Sequence, residues 1–358
     1  MNHADATELL VQMVRTPSPS GDEAAVAAVL AGWAAAHGLD PVVDDSAVRI
    51  VVEGKRPGPT LLMASHLDTV PPGSGWTVPP YAGLVDGGRL TGRGAVDAKA
   101  SVSAMAAAAA NFKAAGGPAA GRLVMLATYS EENRNTSMPE ALNRLGHPPD
   151  AAVVGEPTSL EPCIAQRGQL LLELHWHGEQ AHAGWVADRK PRPANAISLA
   201  AKDLVALETM NFERIHPQLG AVAVTPTMIE AGIARNVTAP ACSVIFDIRT
   251  TPAYEHAEVV AAIQDLVGAE VEIYSDRLVP TETPANSKLL GSVMSARPGA
   301  TPFASPTCSD WVFLRHLDAV KMGPGNSQLS HTADEWIELD EVTAGALLYG
   351  DVAREYLQ

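Results

Sequence analysis

Side chains of the types that bind metals follow the predicted strands of this chain at several separate points. Residues 65–71 read Ser-His-Leu-Asp-Thr-Val-Pro, and residues 92–99 read Gly-Arg-Gly-Ala-Val-Asp-Ala-Lys. A Glu-Glu pair occupies 131–132, Glu156 lies in a Gly-Glu-Pro turn, and His331 follows a Gly-Pro-Gly segment. Two imidazoles with several carboxylates favour a pair of divalent metal ions, zinc first and cobalt or manganese as alternatives. Such a pair activates water and polarises a carbonyl group.

The alternative interpretation of these residues is structural. A single His or Glu in a loop is usually a solvated surface residue. Glu131 and Glu132 alone could be a charge pair at a helix start, and Glu156 alone could be a turn residue before proline. However, all five groups lie at predicted strand ends or in loops of an α/β pattern, which is where ligands bind in such sheets. Their joint occurrence therefore favours a metal site.

Alternating strands and helices must position these groups. An almost continuous apolar run at 60–66 is typical of a strand that is buried on both faces. The patterns predict more strands at 47–53, 121–129 and 151–154, and helices at 5–15, 22–37, 98–115, 137–146, 285–296 and 339–356. This order predicts an α/β fold with a mixed sheet covered by helices on both faces.

The pattern changes after about residue 163. Residues 170–177 alternate apolar and polar side chains with a period of two, as a half-buried strand does. The whole segment has the β-α-β-β-α-β order of a ferredoxin-like α+β unit, with later elements at 193–208, 221–231, 237–249, 254–267 and 270–275. We therefore predict a catalytic metal-binding domain at 1–165 and 278–358, interrupted by an inserted lid and dimerisation domain at 166–277.

Composition excludes several classes of function. The 358 residues suffice for about two domains. There are 25 Lys and Arg against 41 Asp and Glu, and the resulting net charge of −16 disfavours nucleic acid or an anionic membrane as a partner. Three scattered cysteines form no disulfide framework, and the first residues lack the basic start of a secretory signal, so we expect a cytoplasmic protein. The longest alanine-rich apolar run, at 103–110, is shorter than the ~20 residues of a membrane span.

These motifs resemble the dinuclear-zinc aminoacylase, acetylornithine deacetylase, succinyl-diaminopimelate desuccinylase and carboxypeptidase G family over nearly the whole chain. The resemblance implies that one metal is bound by His66, Asp97 and Glu156. It implies that the second metal is bound by Asp97, Glu132 and His331, with Asp97 bridging the two ions. A bridging carboxylate holds two cations about 3.5–4 Å apart, and three protein ligands per ion leave room for a reacting water. The resemblance also implies a cis peptide bond after Asp97.

Two further acidic residues have expected roles beside the metals. By resemblance, Glu131 is the general base, which takes a proton from the attacking water and returns it to the leaving nitrogen. Asp68 lies two residues after His66 and is expected to accept a hydrogen bond from the ring nitrogen that does not bind the metal. The implied reaction is hydrolysis of a linear amide without a covalent intermediate.

Three residues of the inserted domain complete the site that the resemblance implies. His182, in Gln-Ala-His-Ala-Gly, would stabilise the oxyanion in the neighbouring subunit of a homodimer formed through this domain. Arg249 would grip the α-carboxylate of the substrate, which a guanidinium does with two parallel hydrogen bonds. Asn236 would make a second polar contact. For His182, an exposed loop residue is the alternative interpretation.

The sequence favours a small acyl amino acid as substrate. The segments Val-Asp-Ala-Lys at 96–99 and Thr-Cys-Ser-Asp at 307–310 resemble the branch that acts on acyl-lysine or acyl-ornithine. They depart from relatives that have Met and Gly at 98 and 100. We therefore expect N-acetylornithine or N-acetyl-lysine as the substrate, with the acetyl group removed.

Alternatives to that substrate remain open. They are lysine or ornithine tethered to an acidic carrier protein, succinyl-diaminopimelate, and a dipeptide. The net charge of −16 weakly disfavours docking of an acidic carrier. Outside the enzymes, an inactive binding relative is the alternative, and the presence of all five ligands and the base disfavours it.

Overall fold

The computed structural model describes residues 5–133 and 135–358. Residues 1–4, which contribute to the expectation that no secretory signal is present, lie outside the described residues. The α-helices are α1 (Ala6–Val14), α2 (Ala24–Ala36), α3 (Lys99–Ala114), α4 (Ser137–Asn143), α5 (Ala196–Glu208), α6 (His256–Leu266), α7 (Lys288–Ala296) and α8 (Leu339–Tyr356). Short 3-10 helices are Ala183–Trp185, Asp310–Leu314 and Ser327–Leu329.

The strands are numbered in the same way along the chain. They are β1 (Val42–Val43), β2 (Ala47–Glu53), β3 (Thr60–His66), β4 (Leu84–Asp86), β5 (Arg89–Thr91), β6 (Arg122–Thr128), β7 (Ala151–Val154), β8 (Cys163–Gln166), β9 (Gly168–His177), β10 (Ala223–Ala231), β11 (Ala241–Thr250), β12 (Glu270–Leu278), β13 (Thr281–Glu282), β14 (Phe303–Ser305), β15 (Asp318–Lys321) and β16 (Trp336–Glu338). In the described part of the chain, no helix combines the length and the apolar character that crossing a bilayer requires.

The chain divides into two compact units. The first consists of Met1–Ile164, Thr283–Phe303 and Ser309–Gln358, and the second consists of Ala165–Glu282 and Ala304–Cys308. The second unit is thus made mainly from one continuous segment. It also takes in five residues near 306 that the sequence analysis assigned to the catalytic domain.

The sheet of the first unit is mixed, as predicted. Its strands lie in the order β1-β2-β6-β3-β7-β15-β8, and the four strands from β6 to β15 are parallel to one another. His66, the last residue of β3, lies opposite Thr128 of β6. Val154, the last residue of β7, lies opposite Lys321 of β15. The carboxyl ends of these four strands therefore meet at one edge of the sheet.

Both faces of this sheet are covered. Successive side chains of a strand point to opposite sides, and the apolar side chains on each side pack against a separate layer of helices. Ile50, Leu61 and Met63 pack on one face in a core that includes α1, α2, α3, α7 and α8. Leu62 and Leu126 pack on the other face with α4 and the 3-10 helix Asp310–Leu314. Helix α3 is buried almost all round, and its run of alanines permits this because small side chains leave room for close neighbours.

The second unit has the predicted β-α-β-β-α-β order and an antiparallel sheet with strand order β10-β11-β9-β12. Leu170, Leu172, Leu174 and Trp176 of β9 are buried in a core that also contains residues of α5 and α6. The alternate residues of β9 are less buried, which explains its period-two pattern. Strand β11 begins at Ala241, not at the predicted 237.

The sequence analysis missed the shortest strands, among them β4, β5, β15 and β16. Strand β15 has four residues, and β4, β5 and β16 have three each, so no periodicity can be read from them. Their pairing is set by distant partners: Trp336 lies opposite Thr91, and Val320 lies opposite Val153. Such strands are determined by tertiary contacts more than by local pattern.

Candidate metal centre

The carboxyl edge of the first unit's sheet collects the predicted metal ligands. His66 ends β3, Glu132 lies four residues after β6, and Glu156 lies two residues after β7. Asp97 directly precedes Ala98, the N-cap residue of α3, and the peptide bond between them is cis, as the resemblance implied. His331 lies in the connection between β15 and β16.

One half of the predicted centre contains His66, Asp97 and Glu156. The Nε2 atom of His66 lies 3.2 Å from Oδ1 of Asp97 and 3.9 Å from Oε1 of Glu156. The other ring nitrogen, Nδ1, donates to the main-chain carbonyl of Asp68 at 3.0 Å. In the neutral ring, that hydrogen bond keeps the proton on Nδ1 and leaves the lone pair on Nε2. Nε2 is therefore the atom that is free to bind a metal ion.

The other half contains His331, Glu132 and the second oxygen of Asp97. The Nε2 atom of His331 lies 3.0 Å from Glu132 and 3.5 Å from Oδ2 of Asp97. Asp97 thus presents one oxygen to each imidazole. Ligand atoms of His66, Asp97 and Glu132 also lie within 4.8 Å of one another, so the two halves form one cluster.

The electrostatics of the cluster fit divalent cations. Burial and the nearby Asp97 charge raise the pKa of Glu156 to about 8. Burial acts to lower the pKa of His66, but hydrogen bonds to Asp68 and Asp97 outweigh it and hold that pKa well above its usual value. Several acidic groups that are removed from water in this way repel one another, and cations compensate them. Imidazole nitrogen with carboxylate oxygen is a donor set suited to zinc and similar ions.

Asp68 organises the segment that carries the two glutamates. Its carboxylate accepts hydrogen bonds from the backbone N–H groups of Glu131 and Glu132, at 3.0 and 3.1 Å, and from Ser20 Oγ at 2.6 Å. Its Oδ1 atom lies 3.4 Å from Nδ1 of His66, farther than its own main-chain carbonyl. The side chain predicted to orient His66 therefore holds the Glu131–Glu132 backbone as well.

Glu131 lies beside this cluster and is partly buried. Among the described residues, its carboxylate has no hydrogen-bond or ion-pair partner. Burial, opposed in part by the His66 charge, raises its pKa well above the usual value. A carboxyl group with a raised pKa, held beside potential metal ligands, has the properties that a general base for hydrolysis requires.

The second unit brings two of its predicted site residues together. His182 pairs with Val237, and the backbone N–H of Ala183 donates to the carbonyl of Asn236 at 2.9 Å. His182 is exposed, and its Nδ1 accepts from the N–H of Gly184 at 3.1 Å. His182 and Asn236 therefore lie on adjacent segments that precede β11.

Arg249 lies near the other end of the same strand. From Ala241 to Arg249, β11 rises by eight residue steps, which is roughly 26 Å. Asp247 holds the Arg249 side chain, with Nε to Oδ1 at 2.7 Å and Nη2 to Oδ2 at 3.0 Å. The Nε–Nη2 edge of the guanidinium is therefore occupied, and on the other edge Nη1 lies 3.7 Å from Sγ of Cys308. A carboxylate would have to bind at this second edge, beside Cys308. Within one chain, the distance along β11 separates Arg249 from His182 and Asn236.

Sequence reasoning missed several buried charged residues of the first unit. Glu335 is fully buried, as are Arg93 and Lys99, and Asp310 is 3% exposed. Arg93 and Lys99 lie within a segment that was singled out, and Glu335 lies four residues after His331. The sequence carries no signal for Glu335, because its burial depends on contacts between segments that are distant in sequence.

Comparison with known proteins identifies the family of the chain. The model of the family described as peptidase family M20/M25/M40 matches residues 62–355. A succinyl-diaminopimelate desuccinylase from Halorhodospira halophila is 29% identical, over 98% of this chain and 97% of that protein. A desuccinylase of the same name from Novosphingobium aromaticivorans is 31% identical, over 87% of this chain and 85% of that protein.

Solved structures show the same fold. Aminopeptidase PepT from Bacillus cereus has a TM-score of 0.82 and 19% identity, with 100% of both chains covered. The YXEP protein from Bacillus subtilis, described as a dinuclear metal binding peptidase, has a TM-score of 0.75 and 15% identity, with 98% of both chains covered. The chain therefore belongs to peptidase family M20/M25/M40 and is a metal-dependent hydrolase of amide bonds.

Proposed function

We propose that the chain removes an N-acyl group from an amino acid by hydrolysis at a pair of zinc ions. The observation that carries this proposal is the arrangement of Asp97, whose two oxygens face the imidazoles of His66 and His331. His66, Asp97 and Glu156 would hold one ion, and Asp97, Glu132 and His331 the other. When bound, the ions lower the pKa of water and polarise the scissile carbonyl group.

In this proposal Glu131 moves the proton. Its carboxylate accepts a proton from the attacking water and then gives it to the leaving amine, so its raised pKa suits both steps. Asp68 keeps Glu131 and Glu132 in place through their backbone N–H groups, and the carbonyl of Asp68 sets the tautomer of His66.

For the substrate we propose N-acetylornithine or N-acetyl-lysine. The proposal is supported by the Val-Asp-Ala-Lys and Thr-Cys-Ser-Asp segments, which resemble the branch acting on basic amino acids. The net charge of −16 is compatible with a small substrate that carries a terminal ammonium group.

N-Succinyl-diaminopimelate is the second candidate substrate. It is supported by the names of the relatives from Halorhodospira halophila and Novosphingobium aromaticivorans, which align with most of this chain. The two candidates differ in the acyl group, because succinyl adds a second carboxylate that needs its own cationic or hydrogen-bonding partner.

We also propose that the enzyme works as a homodimer through its second unit. His182 and Asn236 lie near one end of β11 and Arg249 near the other, so one small substrate cannot touch all three from a single chain. In a dimer, one chain would supply Arg249 and the other would supply His182 with Asn236. The exposed apolar side chains Met228 and Ile229 of the edge strand β10 support a partner on that side.

A substrate panel tests the proposed reaction. The metal-free chain would be reloaded with Zn²⁺, Co²⁺ or Mn²⁺ and assayed with N-acetylornithine, N-acetyl-lysine, N-succinyl-diaminopimelate, a carrier-linked lysine and a dipeptide. We expect the highest kcat/KM for an acetylated basic amino acid with Zn²⁺. A higher kcat/KM for the succinyl compound would select the second candidate, and no turnover with any metal would refute the hydrolase proposal.

A further inference from the structure

Glu335 carries a fully buried carboxylate that faces the backbone of the segment holding Asp97. Its Oε1 atom accepts from the N–H groups of Val96 and Asp97, at 2.7 and 3.1 Å. Its Oε2 atom accepts from Arg93 Nη1 at 2.6 Å and from the N–H of Gly94 at 3.2 Å. Both oxygens of Glu335 are therefore fully engaged by the loop that ends at Asp97.

The main chain of Glu335 is fixed against the start of the same loop. Its carbonyl accepts from the N–H of Gly92 at 2.8 Å. The next residue, Trp336, begins β16 and lies opposite Thr91 of β5. The main chain of Glu335 therefore binds the start of the 92–97 segment, and its side chain binds the end of that segment.

The same residue is also close in sequence to a proposed ligand of the second ion. His331 lies four residues before Glu335, and His331 and Asp334 both adopt left-handed backbone conformations, with φ of 64° and 53°. Such conformations are costly for residues other than glycine and persist where surrounding contacts impose them. The short stretch from 331 to 335 therefore links the segment of His331 to the segment of Asp97.

We propose that Glu335 is a positioning residue for the metal centre. Its Oε1 atom fixes the backbone N–H groups of Val96 and Asp97, and so sets the bridging carboxylate of Asp97 against His331. The proposal rests on the dinuclear site proposed above. Residues behind a metal ligand hold its orientation, and their loss typically weakens metal binding by about 10–100-fold.

The test compares metal binding by metal-free variants. Glu335→Ala removes every acceptor. Glu335→Gln combined with Arg93→Met keeps a neutral oxygen at the Oε1 position, facing Val96 and Asp97. It removes the closer of the two donors that would face the new amide nitrogen, Arg93 at 2.6 Å, while the N–H of Gly94 at 3.2 Å stays. Glu338→Gln is the matched control, because Glu338 is a half-exposed residue of the same segment that pairs with Arg89 at 3.0 Å.

Calorimetric titration of Zn²⁺ into each metal-free protein gives the affinity and the number of ions, and circular dichroism reports folding. We expect Glu335→Ala to bind zinc about 10–100-fold more weakly. We expect the double variant, which keeps the acceptor at Oε1 but loses the one at Oε2, to bind zinc more tightly than Glu335→Ala, and Glu338→Gln to bind close to the wild-type value. Wild-type affinity in Glu335→Ala would overturn the proposal. A folded double variant as weak as Glu335→Ala would also overturn it, because an acceptor at the Oε1 position would then not be enough to hold the Asp97 segment.

If Glu335→Ala fails to fold, the zinc affinity of Glu335→Asp tests the proposal instead. The shorter side chain keeps the charge but withdraws the acceptor from Val96 and Asp97, so we expect weakened zinc binding, and wild-type affinity would refute the role. A wild-type chain that binds a single ion would refute the dinuclear site itself. That outcome is distinct from a two-ion wild-type chain beside an unaffected Glu335→Ala variant, which would refute only the role of Glu335.

Discussion

The proposed metal ligands of the first unit and the proposed substrate residues of the second differ in how they are held. His66, Asp97 and Glu132 belong to one cluster, and their side chains are between 2% and 13% exposed. His331 is the exception among the proposed ligands, because its side chain is 51% exposed and is held by contacts to Glu132 and Asp97. His182 is exposed and Arg249 partly so, and the two lie towards opposite ends of one strand. The structure brings the first set together within one chain, whereas it separates the residues of the second set.

The difference follows from the cost of burying polar groups. A buried carboxylate or imidazole must be hydrogen-bonded or paired, so its position is determined by many contacts. Asp68 and Glu335 supply those contacts for the metal ligands. Exposed groups such as His182 are hydrated and need no such partners. The contacts within one chain therefore hold the proposed metal centre in place, whereas the proposed roles of His182 and Arg249 at one substrate require the dimer proposed above.

The largest effect is expected from Asp97→Ala. This change removes a ligand from both proposed ions, whereas Glu132→Ala and Glu156→Ala each remove a ligand from one. We expect elemental analysis to find the greatest metal loss in Asp97→Ala, together with loss of turnover. Equal metal content in all three variants would contradict the bridging role and would make the two halves of the centre independent.

The next largest effect is expected from Glu131→Gln, and it distinguishes the roles of the two neighbouring glutamates. Glu131→Gln should retain both metals and lower kcat by at least ~10²-fold, because the amide cannot accept the proton from water. Glu132→Gln, its matched control, should lose metal because the amide is a weaker ligand. Near-normal turnover of Glu131→Gln at unchanged metal content would rule out Glu131 as the base.

A subunit-mixing experiment tests whether the second unit acts in another chain. Glu131→Gln and His182→Ala should each be inactive or nearly so, since loss of an oxyanion donor costs about 10²–10³-fold in kcat. In a mixed dimer, one site combines an intact Glu131 with an intact His182 from the partner. We therefore expect activity to return on mixing, up to about one working site per mixed dimer.

The control for that experiment is subunit exchange, measured independently with two labelled chains. Full exchange without recovery of activity would mean that His182 acts within its own chain or not at all. In that case the separation of His182 and Arg249 along β11 would require that at least one of them has no role at the substrate.

The sequence was most informative where function and burial coincide. The run at 60–66 and the motifs after it predicted β3 and His66, because a strand buried on both faces is apolar throughout and ends abruptly in polar residues. Glu335 could not be predicted, since its role depends on pairing of β16 with β5, two three-residue strands far apart in the chain. The start of β11 was misplaced for the same reason: Val237 pairs with His182 outside the sheet's regular strands.

The smallest effect is expected from Arg249→Ala. Loss of a charge-assisted hydrogen bond to the substrate's α-carboxylate should cost about 1.5–3 kcal/mol, which is roughly a 10–150-fold rise in KM. Asp247 occupies one edge of the guanidinium, so the value should lie towards the lower end.

Arg214→Ala is the control, because Arg214 is an exposed arginine of the same unit that pairs with Glu258 at 2.6 Å, and its KM should not change. A substrate whose α-carboxylate is amidated should bind wild type and Arg249→Ala alike. If both substrates lose affinity equally, Arg249 supports the fold of the second unit and does not contact the carboxylate.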